Sequence, residues 1–133
     1  MTRLLVLDES TAIRSIIKTM AGKTVLVRET DQPAEALTIV NEFRPDIAFI
    51  ADWSVGGDGY KLVRELRADP ANASLYIVLT TIEYSLLTWT HRRKNGVDRM
   101  LLKPFEGRDI EEAFRSWPAA RSIQKSAPVM ATG

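Results

Sequence analysis

The chain has 133 residues, of which 45% are hydrophobic and 26% charged, and its formal net charge is +1. The length fits one domain with a sizeable core, and the composition is typical of a soluble globular protein. The near-neutral charge gives no reason to expect a nucleic-acid or membrane partner. The chain has no cysteine, which excludes disulfides and thiol chemistry. The apolar run at the start is too short for a signal peptide, so we expect a cytoplasmic protein.

The first strand is predicted at the apolar run 3–7. Ser10 or Thr11 can cap the helix that follows, and Gly22 can close it. Apolar residues recur along this helix at the spacing of one helical face, namely Ile13, Ile16, Ile17 and Met20.

The second strand is predicted at 24–29, and Asp31 is expected to cap the next helix, with Pro33 in its first turn. The third strand, 47–51, is apolar at every position. Such a strand is buried on both faces, as in a parallel sheet that helices cover on both sides.

The second half of the chain continues the alternation. Gly59 opens the third helix, and beyond Pro118 the sequence has no clear period, so we expect a mobile tail over 118–133. The remaining predicted elements are a strand at 74–81, a helix at 83–94, a strand at 99–102 and a helix at 108–117. Five strand–helix units at this length predict one doubly wound α/β domain with a five-stranded parallel sheet and five helices.

Polar residues end four of the predicted strands. In doubly wound sheets, ligands bind beyond the carboxyl ends of the strands, so these residues are expected to share one edge. They are Asp8 and Glu9 after the first strand, Asp52 after the third, Thr80 and Thr81 at the end of the fourth, and Lys103 after the fifth.

This set of side chains predicts phosphoryl chemistry. Carboxylates crowded together repel one another unless a cation lies among them, and their hard oxygens suit Mg²⁺. Lys103 can offset negative charge and bind a phosphoryl oxygen, and Thr81 can donate a hydrogen bond. Asp52 is the candidate nucleophile, because aspartate carboxylates form phosphoryl intermediates.

The sequence resembles the receiver domain of bacterial two-component response regulators. The similar segments are "LLVLDESTAIR", "PDIAFIADW" with the following "DGY", and "GVDRMLLKPF", and they occur in the family's order over about residues 3–117. The resemblance implies a receiver domain at 1–117 with the flavodoxin-like strand order 2-1-3-4-5. It also implies a phosphoacceptor signalling domain rather than an enzyme.

The resemblance further implies that Asp52 receives a phosphoryl group from a histidine kinase or phosphotransfer protein. It implies Thr81 as the switch hydroxyl, Lys103 as the phosphate-binding cation and a cis Lys103–Pro104 bond. The Mg²⁺ ligands that it implies are Asp8, Glu9, Asp52 and the carbonyl of Ser54.

Three departures from the family pattern leave alternatives open. The loop after Asp52 has no proline, the aromatic switch position is Met100, and Ile82 stands where a small residue is usual. The loop also appears one residue short, and this short loop and Ile82 suggest one alternative, a pseudo-receiver, which is a protein-interaction module that is not phosphorylated. The other is a haloacid-dehalogenase-like phosphatase, because "LLVLDEST" looks superficially similar to the apolar strand and nucleophilic aspartate of that class. It ranks last because Ser10 occupies the position of the second aspartate.

The output surface is the last sequence-based expectation. By spacing, Trp89 falls on the same face as Met100, and the two are predicted to form an apolar patch for an unknown output protein or for a homodimer. The basic rim of this patch would be His91, Arg92, Arg93 and Lys94. Trp117 is expected to pack the last helix onto the sheet.

Overall fold

The computed structural model describes residues 1–54, 57–82 and 96–117, and only the backbone at 53, 54, 57 and 58. The fourth predicted helix, 83–94, and the predicted tail, 118–133, lie outside these residues. The side chain of Trp53 and all of Trp89 and the basic rim beside it lie outside them as well.

The described strands form one five-stranded sheet in the order β2-β1-β3-β4-β5. All neighbouring strands run parallel, so the predicted sheet and its strand order are confirmed. A separate two-residue antiparallel ribbon joins Trp53–Ser54 to Gly57–Asp58. The strands of the main sheet are β1 (Thr2–Leu7), β2 (Val25–Thr30), β3 (Ile47–Ala51), β4 (Tyr76–Thr81) and β5 (Arg99–Leu102).

Four α-helices lie in the described part of the chain, against five predicted, because the predicted helix at 83–94 is outside it. They are α1 (Thr11–Ala21), α2 (Pro33–Phe43), α3 (Gly59–Ala68) and a last helix, Gly107–Arg115. A single 3-10 turn, Pro70–Asn72, follows α3. None of the described helices is long and apolar enough to cross a membrane.

The helix ends confirm most of the predicted caps. Ser10 caps α1 by accepting a hydrogen bond from the backbone N–H of Ile13 at 3.2 Å. Gly22 closes α1 with a left-handed φ of 86°, a conformation that glycine adopts without strain. The prediction that Asp31 caps α2 is wrong, because the cap residue is Gln32. The Thr30 hydroxyl accepts a hydrogen bond from the Gln32 backbone N–H at 3.0 Å. This bond spans Asp31 and holds the turn that leads into α2, so the Asp31 side chain is not needed there.

Two apolar layers cover the sheet, one on each face. Every residue of β3 is buried, as its composition predicts. In α1, Ile17 is buried, whereas Ile16 is 42% exposed, so Ile16 was wrongly included in the buried stripe. Ile13 and Met20 pack with Ile17 against the layer under α1, and these positions have the i, i+4, i+7 spacing of one narrower helical face.

The last helix packs onto the same layer as α1. Glu106 and Asp109 form a reciprocal capping box at its start, which satisfies two backbone N–H groups. Trp117 is partly buried against this layer, which confirms its predicted role.

Asp46 joins three strands at the amino end of the sheet. Its carboxylate accepts the Arg3 backbone N–H at 2.8 Å, and its own N–H donates to the Arg3 carbonyl at 2.8 Å. Its carbonyl accepts the Tyr76 N–H at 3.0 Å. One residue therefore ties the starts of β1, β3 and β4 together.

Candidate functional site

The strand register brings the predicted site residues to one edge of the sheet. Leu7 pairs with Ile50, Ala51 pairs with Thr80, and Thr81 pairs with Leu102. Neighbouring strands lie about 4.8 Å apart. The residues that follow these pairs therefore stand side by side at the carboxyl edge, in the order Asp8, Asp52, Thr81 and Lys103.

Asp8 and Lys103 form an ion pair across this edge. The Lys103 Nζ lies 2.8 Å from Asp8 Oδ2, and the exposed fractions of the two side chains are 19% and 2%. Asp8 Oδ1 accepts the backbone N–H of Ser10 at 2.9 Å, so both carboxylate oxygens have a donor. A pair this deeply buried is costly to break, because the remaining charge is left without water or a partner.

Asp52 is 8% exposed, and its backbone is held by the end of β4 on one side and by the start of α3 on the other. Its N–H donates to the Thr80 carbonyl at 3.0 Å, and its carbonyl accepts the Gly59 N–H at 2.9 Å. The start of α3 therefore lies directly against the residue that the sequence predicts as the nucleophile.

Gly59 lies too close to Asp52 for any side chain. A Cβ at this position would be 2.2 Å from the Ala51 carbonyl oxygen and 2.7 Å from the Asp52 Cα. Both of these atoms belong to the backbone and cannot rotate away. Glycine is therefore required at position 59 for this close approach between α3 and the end of β3.

Glu9 is the predicted site residue that the structure turns outward. Asp8 is buried and Glu9 is exposed, as expected for consecutive residues whose side chains point in opposite directions. Among residues 1–54, 57–82 and 96–117, no three acidic or histidine side chains lie close enough together to hold a metal ion. Ser54 belongs to the small ribbon, and its side chain is not described.

The donor chemistry at this edge nevertheless fits Mg²⁺. This ion is usually bound through one or two carboxylates, while waters and substrate phosphates complete its octahedron. Asp8 and Asp52 supply two buried carboxylates on adjacent strand ends. Within the described part of the chain, each Asp8 oxygen accepts one hydrogen bond, which leaves it a lone pair for coordination.

Two threonines end β4, and both are buried. Thr81, the predicted switch hydroxyl, is 0% exposed, and its carbonyl accepts the Lys103 N–H at 2.7 Å. Thr80 is 1% exposed and was named with Thr81 from the sequence without a role of its own. The Lys103–Pro104 peptide bond is cis, as the resemblance implies.

Arg14 is a site neighbour that sequence reasoning missed. Its Nη1 donates to the Asp8 carbonyl oxygen at 2.7 Å, and its Nε donates to Glu29 at 2.8 Å. It therefore holds the backbone of Asp8 against the end of β2. Its position on the first turn of α1 is the only signal for this contact, and that signal does not identify the acceptor.

Glu29 forms ion pairs with both Arg14 and Lys18. Hydrogen bonds from Lys18 and Arg14 hold its pKa below the ordinary value of 4.5. A lowered pKa means that ionised Glu29 stabilises the folded state above its unfolded pKa. This contribution is lost as the pH falls through the lowered value.

We therefore expect Glu29→Gln to lower the free energy of unfolding near neutral pH by less than about 1 kcal/mol, because the pair is partly exposed. The difference from wild type should shrink as the pH falls below the ordinary pKa of 4.5 and disappear below the lowered pKa of the folded state. Urea unfolding across this range measures it, with Glu42→Gln, an exposed position of α2, as the control. A difference that grows on acidification would contradict the assignment.

The positions at which the sequence departs from the family pattern are only partly described. Met100 is partly buried and packs against the core layer under α2 and α3. Ile82, next to Thr81, is 68% exposed. The predicted patch of Trp89 with Met100 stays a prediction, because Trp89 lies outside the described residues.

A parallel sheet in this order, with an acidic edge and a lysine–cis-proline after its last strand, defines a receiver-type domain. The family model described as "Response regulator receiver domain" matches residues 4–115. The chain therefore belongs to the response regulator receiver family, the signalling domains of two-component systems.

Known relatives agree with this assignment. The chain is 28% identical over 114 residues to a chemotaxis protein CheY homolog of Campylobacter jejuni, covering 83% of this chain and 87% of the relative. It is 25% identical over 115 residues to the DNA-binding response regulator MtrA of Mycobacterium tuberculosis, covering 86% of this chain and 49% of the relative. The fold is similar to that of the chemotaxis response regulator CheY4 of Vibrio cholerae. The TM-score is 0.80 at 22% identity, covering 87% of this chain and 98% of CheY4.

Proposed function

We propose that this receiver domain is a phosphorylation switch in which Asp52 accepts a phosphoryl group in a Mg²⁺-dependent reaction. The observation that supports the proposal is the strand register, in which buried Asp52 stands between the ends of β1 and β4. The Asp8–Lys103 ion pair lies at the same edge. The candidate nucleophile is thus on the strand next to the candidate metal-binding carboxylate, and that carboxylate is paired directly with the cation.

The transfer step follows from these roles. A carboxylate oxygen of Asp52 attacks the phosphorus of a phosphohistidine on a histidine kinase or phosphotransfer protein. The new O–P bond forms as the P–N bond breaks, and the electron pair of that bond stays on the imidazole. Lys103 pairs with a phosphoryl oxygen, and Thr81 donates a hydrogen bond to another. Mg²⁺, when bound through Asp8, Asp52 and the Ser54 carbonyl, would offset the remaining negative charge.

We infer that the protein acts in the cytoplasm and signals through a partner protein or through self-association. The sequence-predicted patch of Trp89 and Met100 is our candidate for this output surface. Glu9 would act at the metal through a bridging water rather than as a buried ligand, because its side chain is exposed.

The decisive experiment is phosphorylation by a small-molecule donor. We expect incubation with acetyl phosphate and Mg²⁺ to add one phosphoryl group to the wild-type chain, measured by intact mass. Asp52→Asn should abolish the adduct because an amide is not a comparable nucleophile. Removal of Mg²⁺ with a chelator should abolish it too. Asp31→Asn is the matched control, because Asp31 is an exposed acid that follows β2 of the same sheet.

Two results would contradict the proposal. An undiminished adduct on Asp52→Asn would mean that another residue is modified. A wild-type chain that takes no phosphoryl group would instead support the pseudo-receiver, which keeps the acidic edge as a protein-interaction module.

A further inference from the structure

Thr80 has a buried hydroxyl that lacks a hydrogen-bond partner among the described residues. The residue is 1% exposed, and within the described ranges nothing pairs with its Oγ1. Burying a hydroxyl without a partner costs folding free energy, and valine, which has nearly the same shape, would avoid that cost. A buried polar atom of this kind therefore requires a physical explanation.

The register shows which face of the sheet Thr80 occupies. Thr80 pairs with Ala51 of β3 on one side and with Leu101 of β5 on the other. Side chains alternate between the two faces along a strand. Thr80 therefore faces the same way as Val78 and Leu101, which belong to the apolar layer under α1 and the last helix.

Asp8 and Lys103 share this face. Asp8 follows Val6 by two residues and Lys103 follows Leu101 by two residues, and both Val6 and Leu101 lie in the same layer. The strands that carry the ion pair, β1 and β5, are separated by β3 and β4. The ion pair must therefore cross above the ends of these two inner strands, where Ala51 contributes only a methyl group and Thr80 contributes the hydroxyl.

We propose that Thr80 is a positioning residue for Lys103, and this proposal rests on the phosphorylation of Asp52. When the Lys103 ammonium turns from Asp8 toward the new phosphoryl group, the Thr80 hydroxyl accepts one of its hydrogen bonds. The ammonium has three donors, and one of them goes to Asp8 at 2.8 Å in the present state.

The Thr80 hydroxyl is therefore bonded differently in the two positions of Lys103. The Thr80 hydroxyl is without a partner while Lys103 is paired with Asp8, and it gains a partner when Lys103 approaches the phosphoryl group. An interaction that is stronger in the transition state than in the ground state accelerates the step. Thr80 therefore favours the transfer without touching the reacting atoms.

The test compares Thr80→Val, which removes only the hydroxyl, with Thr80→Ser, which retains it. The phosphorylation rate is measured over a range of acetyl phosphate concentrations, and urea unfolding is measured on the unphosphorylated proteins. We expect Thr80→Val to be at least as stable as wild type and to lose roughly tenfold in maximal rate, the factor of one hydrogen bond to a charged group. The half-saturating concentration should not change, and Thr80→Ser should stay within about threefold of wild type.

Three outcomes would overturn the inference. If wild type and Thr80→Val are phosphorylated at equal rates, the hydroxyl has no positioning role. If Thr80→Ser is as slow as Thr80→Val, and both lose stability, the position matters only for packing. If wild type takes no phosphoryl group at all, the proposed function fails and the inference fails with it, which the wild-type measurement alone reveals.

Discussion

Lys103→Met is expected to lower the free energy of unfolding by about 3 kcal/mol, because it leaves the Asp8 carboxylate buried without its cation. The Asp8 side chain is 2% exposed, so water cannot replace the ammonium. The same substitution should lower the phosphorylation rate by about 100-fold or more, the effect of removing one preorganised charged donor. Urea unfolding and intact mass after acetyl phosphate treatment measure the two effects.

A double variant separates the two roles of Lys103. Asp8→Asn removes the buried charge, so Asp8→Asn/Lys103→Met should regain most of the lost stability while phosphorylation stays lost. Arg108→Met is the matched control, because the Arg108–Glu106 pair is 77% and 74% exposed. Loss of the Arg108–Glu106 pair should lower the free energy of unfolding by less than about 0.5 kcal/mol. If Lys103→Met lowers the free energy of unfolding as little as Arg108→Met does, breaking the buried ion pair is not as destabilising as we expect.

Gly59→Ala is the second large effect, and we expect a loss of about 3 kcal/mol or more in the free energy of unfolding. The added Cβ would stand 2.2 Å from the Ala51 carbonyl oxygen, so either α3 or the end of β3 must move. Because the Gly59 N–H donates to the Asp52 carbonyl at 2.9 Å, the movement would also displace the nucleophile. Phosphorylation should therefore fall in the fraction of molecules that remains folded.

Gly22→Ala provides the comparison for this prediction. Gly22 has a φ of +86°, and no atom lies within 4 Å of the Cβ that alanine would add. Its substitution therefore costs only backbone strain, about 1–3 kcal/mol, and leaves the site unchanged. Equal losses in the two variants would mean that the contact between α3 and β3 relaxes easily, contrary to our expectation.

The strand ends were predictable from sequence, whereas the pairing between them was not. Apolar runs ending in Asp8, Asp52, Thr81 and Lys103 indicate a parallel sheet, and the carboxyl ends of parallel strands meet at one edge. The ion pair joins residues 95 positions apart, and it depends on side chains reaching across two intervening strands. A sequence pattern contains no information on that reach, so Lys103 is predicted to offset negative charge and bind a phosphoryl oxygen, but its direct pairing with Asp8 is not.

Consecutive residues at the strand ends divide between two environments. From the sequence, Asp8 and Glu9 are grouped as two acids after the first strand, and Thr80 is named with Thr81 at the end of the fourth strand, but a role is predicted only for Thr81. In an extended chain, neighbouring side chains point in opposite directions, so each pair divides between two environments. The exposed position of Glu9 and the separate role that we propose for Thr80 both follow from this division. The prediction that Ile16 belongs to the buried stripe of α1 is also wrong, because an apolar residue can lie beside such a stripe without being part of it.

Asp46 gives the site a fixed reference at the opposite end of the sheet. The strand β3 runs without interruption from Ile47 to Ala51, so Asp46 and Asp52 are separated by a constant length of extended backbone. Asp46 also forms hydrogen bonds with the starts of β1 and β4, and these bonds determine the register between the two strands. Because the strands are paired along their length, the same register determines the relative positions of Asp8 and Thr81. The alignment of the nucleophile with its neighbours is thus determined far from the chemistry, and side-chain rotation is the main freedom left to the site itself.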